Sequence, residues 1–272
     1  MSTRPRAWPF LVSAAGLLVL LAGTYAFFVR GYMGQILDES AKNGVELGAR
    51  ASRAALDYLH AVPLLCACIA LLAVIIGLAR RRVAVTLIAL MVVAGANITT
   101  QLLKHSLLSR PDTGATDTWH NSFPSGHATV VASVLFALFL LVSSPRTRPV
   151  VAALGSLITV ITGVLLVGTQ WHRPSDVVGA ILIVAIWGCL GGAVATRVRP
   201  VASAERPVSM SAVWVVAALF GVAAAVAFAG VYLSADAESA NLTLAAAGGL
   251  LTIAAVGASN AAGVTRLFHR VG

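Results

Sequence analysis

Residues 83–111, VAVTLIALMVVAGANITTQLLKHSLLSRP, open on an apolar run over 83–103 that ends in Lys104, His105, Arg110 and Pro111. A helix rises about 1.5 Å per residue, so such a run matches the roughly 30 Å hydrocarbon core of a bilayer. Pro111 favours an extended residue before it, so the helix has ended by Ser109 or Arg110. The surrounding sequence repeats the pattern. Further apolar runs cover about 8–29, 58–79, 125–144, 150–170, 175–196, 211–234 and 242–264. The chain is 58% hydrophobic and 11% charged, which excludes a soluble globular domain. The expected fold is all-α, a polytopic transmembrane helix bundle. The first run reads as an uncleaved anchor, a secretory signal being the alternative. Cys66, Cys68 and Cys189 fall inside apolar runs and read as small hydrophobes.

The charges between the runs divide by sign. Arg4, Arg6, Arg80, Arg81, Arg82, Arg146, Arg148, Arg197, Arg199, Arg206, Arg266 and Arg270 fall in one set of connections with Glu205 as its only acid. The other set holds Asp38, Glu39, Glu46, Asp57, Asp112, Asp117, Asp176, Asp236 and Glu238. The positive-inside rule puts the first set and both termini in the cytoplasm. The net charge of +9 therefore sets topology, and no nucleic-acid partner is expected. The longest connection, 30–57, has mixed charge and a helical look, and is expected along the outer surface.

Ionisable residues at the edge of a membrane bundle are costly to bury, which makes them functional candidates. The outer ends of the third to sixth runs gather Lys104, His105, Arg110, Asp112, Asp117, His120, Ser125, His127, His172, Arg173 and Asp176. Lys104 and Arg110 offer a point charge and a planar fork suited to a phosphate dianion, or else anchor a helix end at the headgroups. In Pro124-Ser125-Gly126-His127, Ser125 suits a helix N-cap, and Gly126 lets an anion approach the free backbone amides. His127 follows within the first turn. His172 and Asp176 are four residues apart, so a helix sets them on one face. A carboxylate on one imidazole nitrogen leaves the other free to attack; a structural His–Asp bond and a metal site are the other readings.

Together these residues resemble the type 2 phosphatidic acid phosphatase (PAP2) superfamily, in its membrane-bound lipid phosphatase branch. That signature joins a Lys, six residues and Arg-Pro, then Pro-Ser-Gly-His, then Ser-Arg, five residues, His, three residues and Asp. The parts appear here as Lys104 with Arg110-Pro111, as Pro124 to His127, and as His172 with Asp176. Where the family has Ser-Arg, this chain has Leu165-Leu166, and Arg173 is the nearest candidate to supply the missing charge. An altered pocket, a slower enzyme and an inactive relative are the consequences to weigh.

The resemblance implies a six-helix core over 1–200, with two extra C-terminal transmembrane helices over 201–272 packed on it. It also implies a metal-independent lipid phosphate or diphosphate phosphatase without a cofactor, and the division of charges puts its site at the non-cytoplasmic face of the cell membrane. His172 is then the nucleophile, Asp176 orients it, and His127 protonates the leaving oxygen. Lys104, Arg110, Ser125, Gly126 and Arg173 bind the substrate phosphate. The expected partner is a membrane lipid phosphate, a polyprenyl carrier foremost. A non-catalytic lipid-phosphate binder would explain Leu166, and a lipid transporter would explain the number of spans.

Overall fold

A computed structural model describes residues 6–116, 120–142, 144, 146–198, 209–234 and 240–269. Arg4, Asp117, Arg199, Glu205, Arg206, Asp236, Glu238 and Arg270 lie outside the described residues. The described residues are helical, with no strand among them. The helices are α1 (Trp8–Thr24), α2 (Tyr32–Asn43), α3 (Ala49–Ala79), α4 (Val83–Leu102), α5 (Gly126–Leu141), α6 (Arg148–Gly168), α7 (Pro174–Val198), α8 (Ser211–Ser234) and α9 (Leu242–Phe268). Wider π turns, Tyr25–Val29 and Leu103–Leu107, extend α1 and α4.

Seven of these helical segments are long and apolar enough to cross a membrane, α2 and α5 being the exceptions. α5 has 16 residues, about 24 Å of helix. It is buried among its neighbours, and nearby chain meets the carbonyls at its C-terminal end. Arg82 donates to the Leu141 carbonyl, and Arg148 donates to Val142 at 3.0 Å and Phe268 at 3.3 Å. These contacts satisfy carbonyls that a helix end leaves without partners.

α7 is the central helix, packed by α1, α4, α5 and α9. Large apolar side chains on α1, α3 and α8, such as Val19, Leu64 and Leu233, face outward as a belt suited to lipid. Helices cannot associate in lipid through hydrophobicity alone, and polar side chains link them here. Thr100 meets Thr129 at 3.0 Å, Asn97 donates to Ser133 at 3.1 Å, and Trp187 donates to Thr99 at 3.1 Å. Small residues allow close approach: a Cβ on Gly249 of α9 would stand 2.6 Å from Pro174, the first residue of α7.

α2 is drawn into the bundle. Its residues Gly34 to Leu37 are buried, and Leu37 and Ala41 pack with Val231 and Ala245 of α8 and α9. Gln35 donates to Val29 at 2.8 Å and Pro111 at 3.0 Å, and accepts from Thr113 at 2.7 Å. A segment with mixed charge thereby pins the loop after α4.

Candidate active site

The C-terminal end of α4 and the N-terminal ends of α5 and α7 meet at one end of the bundle. The Ser125 amide donates to the Asp176 carbonyl at 2.9 Å, joining the start of α5 to that of α7. The Ser125 hydroxyl accepts from the Ala128 amide at 3.4 Å, the expected N-cap bond. Asn121 fixes the third element: its amide donates to the carbonyls of Lys104 at 3.1 Å and Leu108 at 3.0 Å. Five residues, His105 to Ser109, separate Lys104 from Arg110, one fewer than the family spacing of six.

The turn from α6 into α7 positions the histidine. The Gln170 amide bonds to Val167 and the Trp171 amide to Leu166, while Gln170 adopts φ 64°. This is a Schellman turn with glutamine at the left-handed position that glycine usually fills. The Gln170 side chain donates to the carbonyls of Lys42 at 2.9 Å and Val45 at 3.1 Å, at the end of α2. The chain then reverses, and α7 begins at Pro174, where proline's missing amide proton costs nothing.

Asp176 sits in the first turn of α7. Its Oδ2 accepts from the Arg173 amide at 3.0 Å and lies 3.0 Å from His172 Nδ1. One carboxylate oxygen thus holds the helix start and the imidazole together. An ionised carboxylate only accepts, so Nδ1 donates to it, and in the neutral imidazole the lone pair falls on Nε2.

His172 lines an open cavity of about 690 Å³ with Lys104, His105, His120, Asn121, Ser122, Gly126, His127 and Trp171. Trp171 stands between His127 and His60, its ring centroids 5.4 Å and 5.3 Å from theirs. Pro63 of α3, Gln101 of α4 and Val130 of α5 line the same cavity. Of the sequence-derived residues, Lys104, Gly126, His127 and His172 are therefore on the wall. Ser125, Asp176, Arg110 and Arg173 are buried behind it.

Arg173 donates to Glu39 of α2 through Nε and to Ser122 at 3.1 Å through Nη1. Leu166, at the family's arginine position, is fully buried in the apolar core. Arg110 has a side-chain exposure of 0% and approaches Asp38 Oδ2 at 3.7 Å. Asp38 also accepts from the Ser175 amide at 3.0 Å and hydroxyl at 2.5 Å. Burial, and then the nearby Asp176, push the Asp38 carboxyl up to about 6, against the pull of Arg110 and Ser175. Burial and the charge of Arg173 push the Arg110 guanidinium below its usual range.

Sequence reasoning placed Asp38 and Glu39 only as charges marking the outer face. Their approach to Arg110 and Arg173 spans chain separations that no local spacing reveals. Among the described residues, no three His, Cys, Asp or Glu side chains converge as a metal ion would require. Residues 85–200, from α4 through α7, match the family model described as the PAP2 superfamily. That match contains every motif from Lys104 to Asp176 and bears out the resemblance over the third to sixth spans. No curated protein and no solved structure matches the chain.

Proposed function

On the premise that residues 85–200 form a PAP2 superfamily segment, we propose that this protein removes phosphate from a lipid phosphate or diphosphate through a phosphohistidine on His172. The family implies phosphatase-type activity on lipid phosphates, and the chain is a multi-pass membrane protein. The observation that carries the finer reading is the His172–Asp176 pair, 3.0 Å apart, on a cavity that Lys104 and His127 share.

Phosphoryl transfer needs mainly positioning and stabilisation of charge on the phosphate oxygens. In the proposed reaction His172 Nε2 attacks phosphorus as the bond to the lipid oxygen breaks. His127 gives that oxygen a proton. Water, giving a proton back to His127, then attacks the phosphohistidine phosphorus, and the P–N bond breaks to release inorganic phosphate and restore the imidazole. Lys104 and the amides at Gly126 hold the phosphate, with Ser125, Arg110 and Arg173 behind them. The exposed side of α3 and Gln101 give a lipid headgroup a lateral route to the cavity, which favours a membrane substrate over a soluble ester. By analogy with the family we propose a polyprenyl carrier as the substrate, and from the positive-inside rule the non-cytoplasmic face of the cell membrane.

A second reading, a lipid-phosphate binder without turnover, draws support from the buried Leu166 and from the carboxylates beside both arginines. One comparison separates the two. Wild type should release phosphate from defined lipid phosphates in detergent or vesicles. His172→Ala should lose at least about a thousandfold in turnover while still binding the lipid. Binding without release in the wild type would establish the second reading.

A further inference from the structure

α2 lies outside residues 85–200, yet its acids stand against both buried arginines of the site. Two guanidiniums buried side by side repel each other. Asp38 and Glu39 offset that repulsion. Asp38 is committed to Ser175, and its 3.7 Å approach to Arg110 is an ion pair without a hydrogen bond. The three guanidinium nitrogens of Arg110 have no hydrogen-bond acceptor among the described residues. Arg110 is thus held by charge, its donor fork without an acceptor behind the cavity wall.

We propose that α2 is part of the active site, and that Asp38, with Glu39 beside it, is a positioning residue that acts as a built-in counter-ion to the arginines. This rests on reading the site as a phosphate site. A phosphate group that reaches Arg110 brings its negative charge near Asp38, and the like charge strengthens the hold of Asp38 on a proton. Oxyanion binding is therefore coupled to proton uptake at Asp38, which already titrates near 6. Arg110 faces Asp38 from the loop after α4, Ser175 and Asp176 face it from α7, and Glu39 and Lys42 share its helix. Packing from α8, α9 and the first π turn is apolar, through Val231, Ala245 and Phe28.

Sulfate tests the coupling, because it stays a dianion while the carboxyl titrates. Its affinity is measured by calorimetry from about pH 7.5 to about pH 5.5 for wild type, Asp38→Asn, Glu39→Gln and Ser175→Ala. At the upper pH, Asp38→Asn should bind sulfate at least about tenfold more tightly than wild type. The two curves should converge at the lower pH. Histidines titrate in both proteins, so the difference isolates Asp38. Glu39→Gln should shift in the same direction by less, and it carries the test if Asp38→Asn does not fold. Ser175→Ala keeps the charge but removes a bond that holds the carboxyl down, so its curve should keep the wild-type form displaced to higher pH. Parallel curves for Asp38→Asn, or unchanged affinity in Glu39→Gln, would overturn the proposal. Sulfate binding needs no turnover: a wild type that binds sulfate but releases no lipid phosphate defeats the enzyme reading alone, and one that binds none defeats both.

Discussion

Asp38 makes its charge state a property of the whole site, and the consequence can be read in stability. Its carboxyl titrates near 6 in the fold against an ordinary 3.8. A raised carboxyl means that the folded chain binds the proton more tightly. Its contribution is fully present below the unfolded value and is lost as pH rises through about 6. That difference amounts to roughly 3 kcal/mol at most. The melting midpoint of the detergent-solubilised wild type should therefore rise, relative to Asp38→Asn, as pH falls through this window. Midpoints that run parallel would remove the assignment. At this scale His172, Asp176, His127 and Lys104 were legible, because short spacings and helix geometry place them. The direction of Arg173 was not legible, since it depends on Glu39, 134 residues away. Asp38 and Glu39 were read only as topology markers, because burial beside an arginine leaves no trace in local sequence.

The helices themselves followed from apolar runs of bilayer length, and the departures have physical causes. α3 begins at Ala49, nine residues before the expected 58, because its first turns are polar and rise out of the apolar layer. α5 ends at Leu141, since arginines from neighbouring elements cap it there. α2 was expected to lie along the outer surface. It is instead buried along much of its length, since its apolar face meets α8 and α9. The turn between α6 and α7 bears a prediction of its own. Gln170 holds a left-handed backbone at φ 64° and compensates through two side-chain bonds to α2. Gln170→Ala keeps the strain and loses both bonds, so it should cost about 1–3 kcal/mol in a denaturation series. Gln170→Gly relieves the strain and should cost less. An alanine variant as stable as wild type would contradict this account of the turn.

For the whole molecule, the motif helices meet at one end of the bundle, and the arginine-rich connections lie at the other. Arg82 and Arg148 cap helix ends there, and Arg148 also stacks over Phe139 at 5.6 Å. In the topology we propose from the positive-inside rule, the cavity opens on the non-cytoplasmic face. A periplasmically active reporter fused within the loop after α4 should be active, and the same reporter after α9 should be silent. The reverse pattern would invert the proposed topology.

The proposed function depends on a phosphoryl group passing through one imidazole. Rapid quench of the wild type with a lipid phosphate, followed by peptide mass spectrometry under conditions that preserve phosphohistidine, tests this most directly. The predicted result is a phosphate on the peptide bearing His172, absent from His172→Ala along with turnover. Full turnover in His172→Ala, or the phosphate on His105, His120 or His127 instead, would contradict it.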